Sequence, residues 1–271
     1  MFLYSQAQAA LDTGRGGVTI TIVQQPVMPK VTKAALSASL GMIGEAKTDV
    51  AGSFERRNNV RLATEMLNGL RLDPGEVFSF NTTIGKRTEE RGFMMAPVYA
   101  NGVSATEIGG GVCQVSSTLF NAVLLADLNV IARSPHTRPA AYVPVGLDAT
   151  VSWDIPDFSF QNDTGYPVFL VTHYDVDQRT CYTSIYGQRL PNGVYVTVEA
   201  VTTEVLEPGD PVYIYTDELP KGQTRTIEGP REGYKAEAYK IYHNADGSEM
   251  DRMLYIRSTY DASGPRIMVG K

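Results

Sequence analysis

The sequence predicts an α+β protein: a mixed domain with one buried helix after a glycine-rich turn, followed by a small elongated all-β domain. Three observations predict it. Twenty-five glycines and fifteen prolines in 271 residues imply many turns. Two segments in the first half carry apolar residues at helical spacing. The last third alternates like strands between recurring glycines, with no helical stripe.

In chain order, "MFLYSQAQAALDTGRGG" lacks the basic start and long apolar core of a secretory signal. No run reaches the roughly 20 apolar residues of a membrane-spanning helix. Val18–Val23 alternates like a strand and opens abruptly, so the chain is expected to begin inside a longer protein. "FERRNNVRLATEMLNGLRL" places Val60, Ala63, Leu67 and Leu70 on one helical stripe, and Asn68-Gly69 supplies a stop. "LDPGEVFSFN" is a turn feeding a short strand. "APVYANGVSATEI" is a hairpin with Asn101-Gly102 suited to a tight primed turn.

Gly109, Gly110 and Gly111 precede a helix from about Cys113 to Leu128. Val115, Leu119, Ala122, Val123 and Ala126 form its stripe, flanked by Phe120, Leu124 and Leu128, so the helix is expected to be well buried. Cys113, Ser117 and Asn121 stack on a neighbouring seam. A Pro-punctuated stretch follows, then a hairpin in "YPVFLVTHYDVDQRTCYTSIYG" with Cys181 in its second strand. Turn-rich "QRLPNG" suggests a boundary. The expected domains are 1–35, 36–190 and 195–271.

Composition excludes some functions. Charged residues make up 20% and the formal charge is −6, with no basic run, so a polyanion such as nucleic acid is an unfavoured partner. Two cysteines cannot build a disulfide framework, though one bridge between them stays open, and no CxxC pair offers a zinc site. The three histidines include no pair at metal-ligand spacing, so neither metal nor other cofactor is expected.

The chemistry gathers at Cys113. A strand, glycines and a helix start put the thiol where unpaired N–H groups and the helix dipole favour an anion. A thiolate there has a lowered pKa, and the backbone of Gly110, Gly111 and Val112 could hold an oxyanion. The alternative is a packed thiol at a helix start. His136, in "RSPHTRP" just past the helix, is the candidate base, while His173 and His243 read as structural. Asp148, at a predicted strand entrance, could orient His136, or could simply shape a turn. Arg133 and Arg138 could grip substrate carboxylates or be solvated. Glu107 could compete as a base, or cap or pair with an arginine. Ser117 and Gln114 are further candidate contacts to substrate.

Four segments carry a family resemblance. "RLDPGEVFSFNTTIG", "GGGVCQVSSTLFNAVLLADL", "HTRPAAYVPVGLDATV" and "FQNDTGYPVFL" together resemble the VanW family of bacterial cell-surface proteins, over about residues 50–190. Ser117 stands where the family usually has threonine. The tail, with "KGQTRTIEGPREG" and a closing "VGK", resembles the G-five domain, a β module proposed to bind N-acetylglucosamine-containing polymers. The start, to about Lys33, resembles the end of a peptidoglycan-binding-like repeat. The resemblance implies a location in the cell wall or on the extracellular face of the cytoplasmic membrane of a Gram-positive bacterium, with any membrane anchor outside this chain. It also implies Cys113 as nucleophile of an L,D-transpeptidase acting on peptidoglycan stem peptides, with glycan as the tail's partner. A stem-peptide hydrolase and a non-catalytic wall-binding protein are the alternatives. On this reading, removing residues from about 195 onward weakens wall binding and leaves thiol reactivity intact.

Overall fold

A computed structural model describes residues 8–9, 11–14, 39–100 and 103–271. The chain divides into two compact units, Met1–Ala38 and Ser39–Lys271. In the first, the described residues form a short helical turn. The strand expected at Val18–Val23 and the Asn101-Gly102 turn lie outside the described residues. The second unit is mostly β with few helices.

Its first sheet orders β1 (Leu40–Asp49), β9 (Thr180–Gln188), β8 (Val168–Asp175) and β2 (Arg71–Leu72), with antiparallel neighbours throughout. The expected hairpin is β8–β9, and Cys181 sits fully buried in β9. Helix α1 (Phe54–Leu67) begins at Ser53, whose hydroxyl accepts from Arg56 N, and ends at Asn68. Its stripe residues Val60, Ala63 and Leu67 are buried, as the periodicity requires. A short strand β3 (Val77–Ser79) leads into helix α2 (Phe80–Ile84). The hairpin strands β4 (Met95–Ala100) and β5 (Val103–Ile108) pair antiparallel.

Helix α3 (Val112–Leu125) ends three residues earlier than its apolar pattern suggests, because Asp127 takes a left-handed turn at φ 56. The helix lies on β1 and β9. Gly44 in β1 permits that approach, since a Cβ there would stand 2.3 Å from the Ala122 carbonyl oxygen. No side chain caps α3 at its start. A good cap is worth about 1 kcal/mol. Leu119, Phe120, Val123 and Leu124 are all buried, each contributing roughly 1.5–3 kcal/mol. Packing therefore outweighs the missing cap and leaves the first turn open for chemistry.

After β6 (Asn129–Ala132) and β7 (Ser159–Gln161), which with β3 form the order β3-β7-β6, the chain enters its all-β part. There β10 (Tyr195–Leu206), β13 (Gly233–His243) and β14 (Glu249–Tyr260) make one antiparallel sheet. In a second sheet β15 (Arg266–Gly270) lies between β11 (Val212–Thr216), parallel to it, and β12 (Thr224–Glu228), antiparallel. The two parts share one core. Ala238 of β13 belongs to the same buried cluster as Phe120 and Leu128, and Val198, Ala200, Tyr255 and Ile256 pack onto it.

Candidate functional site

Gly111 takes φ 106, a left-handed conformation that side chains resist. It turns the chain from β5 into α3 and makes Cys113 the second helical residue. Cys113 is partly exposed and Cys181 is buried; both are free thiols, so the bridge left open by the sequence is absent. Cys181 bonds to Thr64, and burial raises its pKa to about 11, which makes it inert packing.

Among the described residues, the N–H groups of Gly111 and Cys113 have no hydrogen-bond partner. Those of Gly110 and Val112 do: they donate to Glu107 O and Gly109 O. Of the three expected oxyanion donors, the Gly110 and Val112 N–H groups are thus already engaged, whereas that of Gly111 is not.

His136 stands close enough to the Cys113 thiol to lower its pKa and hydrogen-bonds to Asp148 on the other side. Its Nδ1 lies 2.5 Å from Asp148 Oδ2, and its backbone N–H donates to the same oxygen at 2.7 Å. Asp148 lies in an irregular segment, not at a strand entrance. Its placement follows from α3. Ser116 Oγ donates to Ala149 O at 2.6 Å, Ser117 Oγ accepts from Ala149 N at 2.9 Å, and Asn121 Nδ2 donates to Leu147 O at 2.7 Å. The polar seam seen in the sequence thus bolts the Asp148 segment to the helix that carries the thiol.

Electrostatics favour an ion pair. Burial pushes the Cys113 thiol up, but the His136 hydrogen bond and charge, with the Arg87 guanidinium, hold it below the ordinary thiol value. Burial depresses His136, but its bonds to Asp148 and Cys113 win and raise it to about 9. Burial raises Asp148, and hydrogen bonds from His136 and Tyr260 with the Arg133 charge keep it low. These directions favour thiolate, imidazolium and carboxylate in series. Val151 O, 3.2 Å from Sγ, accepts a hydrogen bond from the thiol whenever the sulfur carries its proton.

Several expected substrate contacts are instead internal. Arg133 is 4% exposed and donates to Asp148 O, Asp148 Oδ1, Gly146 O and Ser258 Oγ, so it has no grip left for a substrate carboxylate. Arg138 is ion-paired with Glu228 of β12. Gln114 is buried between Arg56, Thr48 and Asp49 O. Ser117 is fully buried in the seam. Glu107 is exposed on β5, and no contact ties it to the relay. His173 stacks on Tyr182 and His243 on Tyr195, both as strand residues.

Three participants escaped sequence reasoning. Tyr260 donates to Asp148 Oδ1 at 2.5 Å. Tyr142 is buried near Cys113 and Ser117, and that burial raises its pKa. Arg87 lies close enough to Cys113 to lower its pKa; Nη2 donates to Asn81 at 2.8 Å, and Nη1 is buried with no partner among the described residues. Arg87 lies two residues past the quoted "NTTIG" segment, which was the available signal.

In class, then, this is a mostly β protein in which a helix-start thiol, an imidazole and a buried carboxylate stand in series. Residues 55–186 match the family described as VanW like protein, and the chain carries a VanW-like domain there. It is 40% identical over 159 residues to the uncharacterized protein YoaR of Bacillus subtilis, covering 58% of this chain and 52% of that protein. It is 30% identical over 164 residues to the vancomycin B-type resistance protein VanW of Enterococcus faecalis, covering 58% of each. The chain thus spans about half the length of these relatives. Among solved structures, an IgA1 protease G5 domain matches at 19% identity and TM-score 0.21, over 29% of this chain and 89% of that one. The HP0197 G5 domain matches at 21% identity and TM-score 0.17, over 28% and 97%. Among the described residues, no helix is long and apolar enough to cross a membrane.

Proposed function

We propose that this is a cell-wall-associated protein whose VanW-like domain is a cysteine acyltransferase, an L,D-transpeptidase acting on peptidoglycan stem peptides. The observation that carries it is the Cys113–His136–Asp148 series, with a lowered thiol pKa at an open helix start. The wall setting is supported by the VanW-like domain and by the tail's sequence resemblance to G-five modules, which assigns the tail to glycan.

The chemistry follows from the ion pair. The Cys113 thiolate attacks the carbonyl of the stem's third residue. The oxyanion that forms accepts from the N–H groups of Gly111 and Cys113. His136, already protonated, gives its proton to the leaving amine of the terminal D-residue as the C–N bond breaks, leaving a thioester. Neutral His136 then takes a proton from an acceptor amine as that amine attacks. The C–S bond breaks and the thiolate–imidazolium pair returns. His136 thus acts first as an acid, because the thiol has already lost its proton. Arg87, whose charge reaches the sulfur and whose Nη1 has no partner among the described residues, is the group assigned to a carboxylate on the donor stem.

The test is intact-protein mass spectrometry after brief iodoacetamide exposure near neutral pH, followed by product analysis with stem peptide and a labelled acceptor amine. Rapid single labelling at Cys113 and incorporation of the amine are expected. An inert Cys113 would leave only a binding protein. Release of the D-residue without amine incorporation would make the enzyme a hydrolase.

A further inference from the structure

We propose that Tyr260, the last residue of β14, is a positioning residue for the thiol site, so that the all-β tail is part of the chemical machinery as well as a tether. This rests on the reading of Cys113 as a nucleophile.

The carboxylate of Asp148 is 1% exposed and its two oxygens are divided. Oδ2 faces His136, taking its backbone N–H and Nδ1. Oδ1 faces away, taking Arg133 Nη2 at 2.9 Å and the Tyr260 hydroxyl at 2.5 Å. A carboxylate pinned on one oxygen cannot rotate about its own axis, so the other oxygen keeps its aim at the imidazole. Tyr260 is itself fully buried, and its hydroxyl accepts from Gly146 N at 2.7 Å, which sets the phenol's angle. Two neighbours on the same stretch strengthen the coupling. Ser258 Oγ accepts from Arg133 Nη1 at 2.6 Å, and Asp261 N donates to Thr137 O at 3.0 Å, beside His136. The tail therefore reaches Asp148, Arg133 and the His136 loop from one strand end. This geometry runs against the expectation that residues from about 195 onward can be removed without touching thiol reactivity.

The charged and titratable groups around the relay are Arg133, Tyr260 and His136 at Asp148, and Arg87, Arg56 and Tyr142 at Cys113. Of these only Tyr260 comes from the tail, with the neutral Ser258 hydroxyl holding Arg133 beside it. Replacing Tyr260 with Phe keeps the ring and removes the pin. Asp148 then holds the imidazolium less firmly, and the thiolate loses part of its counter-charge.

The experiment uses the full chain and reads the iodoacetamide alkylation rate of Cys113 against pH, with the melting temperature measured alongside. Wild type is expected to keep its thiolate well below the ordinary thiol range. Tyr260→Phe is expected to move the acid limb up by about one pH unit, about tenfold slower labelling on that limb. Ser258→Ala is expected to shift it the same way by less, and carries the test if Tyr260→Phe does not fold. Asp127→Asn breaks the Lys240–Asp127 pair at 2.9 Å, on the same seam but away from the relay. It should lower the melting temperature and leave the pH profile in place. A Tyr260→Phe profile superimposable on wild type would falsify the proposal, and so would an Asp127→Asn shift as large as that of Tyr260→Phe. An ordinary thiol profile in wild type would instead overturn the nucleophile reading itself.

Discussion

Protonation at two atoms sets the pH behaviour of the site. His136 is raised from 6.5 to about 9 by Asp148 and Cys113, against the opposing effect of burial. A raised cation stabilises the fold fully below its unfolded pKa, and that contribution fades as pH rises through about 9. Cys113 is lowered, so its contribution is present above the ordinary thiol value and fades as pH falls through the folded one. Alkylation needs only the thiolate, whereas acyl transfer also needs the imidazolium to protonate the leaving amine. The two rates should therefore part company above about pH 9: labelling persists while transfer falls. Parallel loss of both would place the proton donor elsewhere. Arg87 gives a second prediction at this scale. Arg87→Gln removes a charge that lowers the thiol pKa and leaves a substrate carboxylate without a partner. KM for donor stem should rise by tenfold or more, since a charge-assisted hydrogen bond is worth about 1.5–3 kcal/mol. An unchanged KM would remove Arg87 from the substrate site.

The joining of elements explains what could be read in advance and what could not. The apolar stripe of α1 and the Gly-rich entry to α3 are local patterns, and periodicity exposes them directly. Cys113, His136 and Asp148 were nameable because helix-start chemistry, a nearby loop and family motifs all act over short stretches. Arg133 was misread because its partners, Gly146 O, the Asp148 groups and Ser258, become visible only when the chain folds back on itself. Tyr260 lies 112 residues from Asp148, a separation that no spacing rule spans. The glycine turn supports a sharper prediction. At Gly111 the φ of 106 disfavours any side chain, and an added Cβ would meet Arg56 Cγ at 2.9 Å and Val60 Cγ2 at 3.2 Å. Gly111→Ala should cost about 1–3 kcal/mol, read as a lower denaturant midpoint. It should also slow Cys113 labelling, because the turn that sets the thiol on α3 must shift. A stable variant with native labelling would mean the turn has slack that this geometry does not suggest.

Across the whole second unit, the decisive question is whether its two sheet systems stand or fall together. The seam between them is built from buried polar groups as well as apolar contact. Lys240 Nζ is 4% exposed, 2.9 Å from Asp127 Oδ1 and 4.2 Å from the centre of the Tyr255 ring. The Tyr255 hydroxyl accepts from Val130 N at 3.1 Å, and Arg138 pairs with Glu228. Separating the parts would expose Tyr260 and strand Arg133, Lys240 and Asp148 in new surroundings. Removing one partner of a buried pair costs about 3–5 kcal/mol, which is comparable with the whole stability of a typical domain, about 5–15 kcal/mol. Neither part can then lose the other cheaply, and residues 39–271 should unfold in one calorimetric transition. Lys240→Met should lower that single transition without splitting it, because the methionine still fills the seam while Asp127 loses its counter-charge. Two resolved transitions in the wild-type chain would mean that the seam couples the parts only weakly. In that case the tail could be removed without disturbing Asp148, and Tyr260 would be a bystander to the thiol.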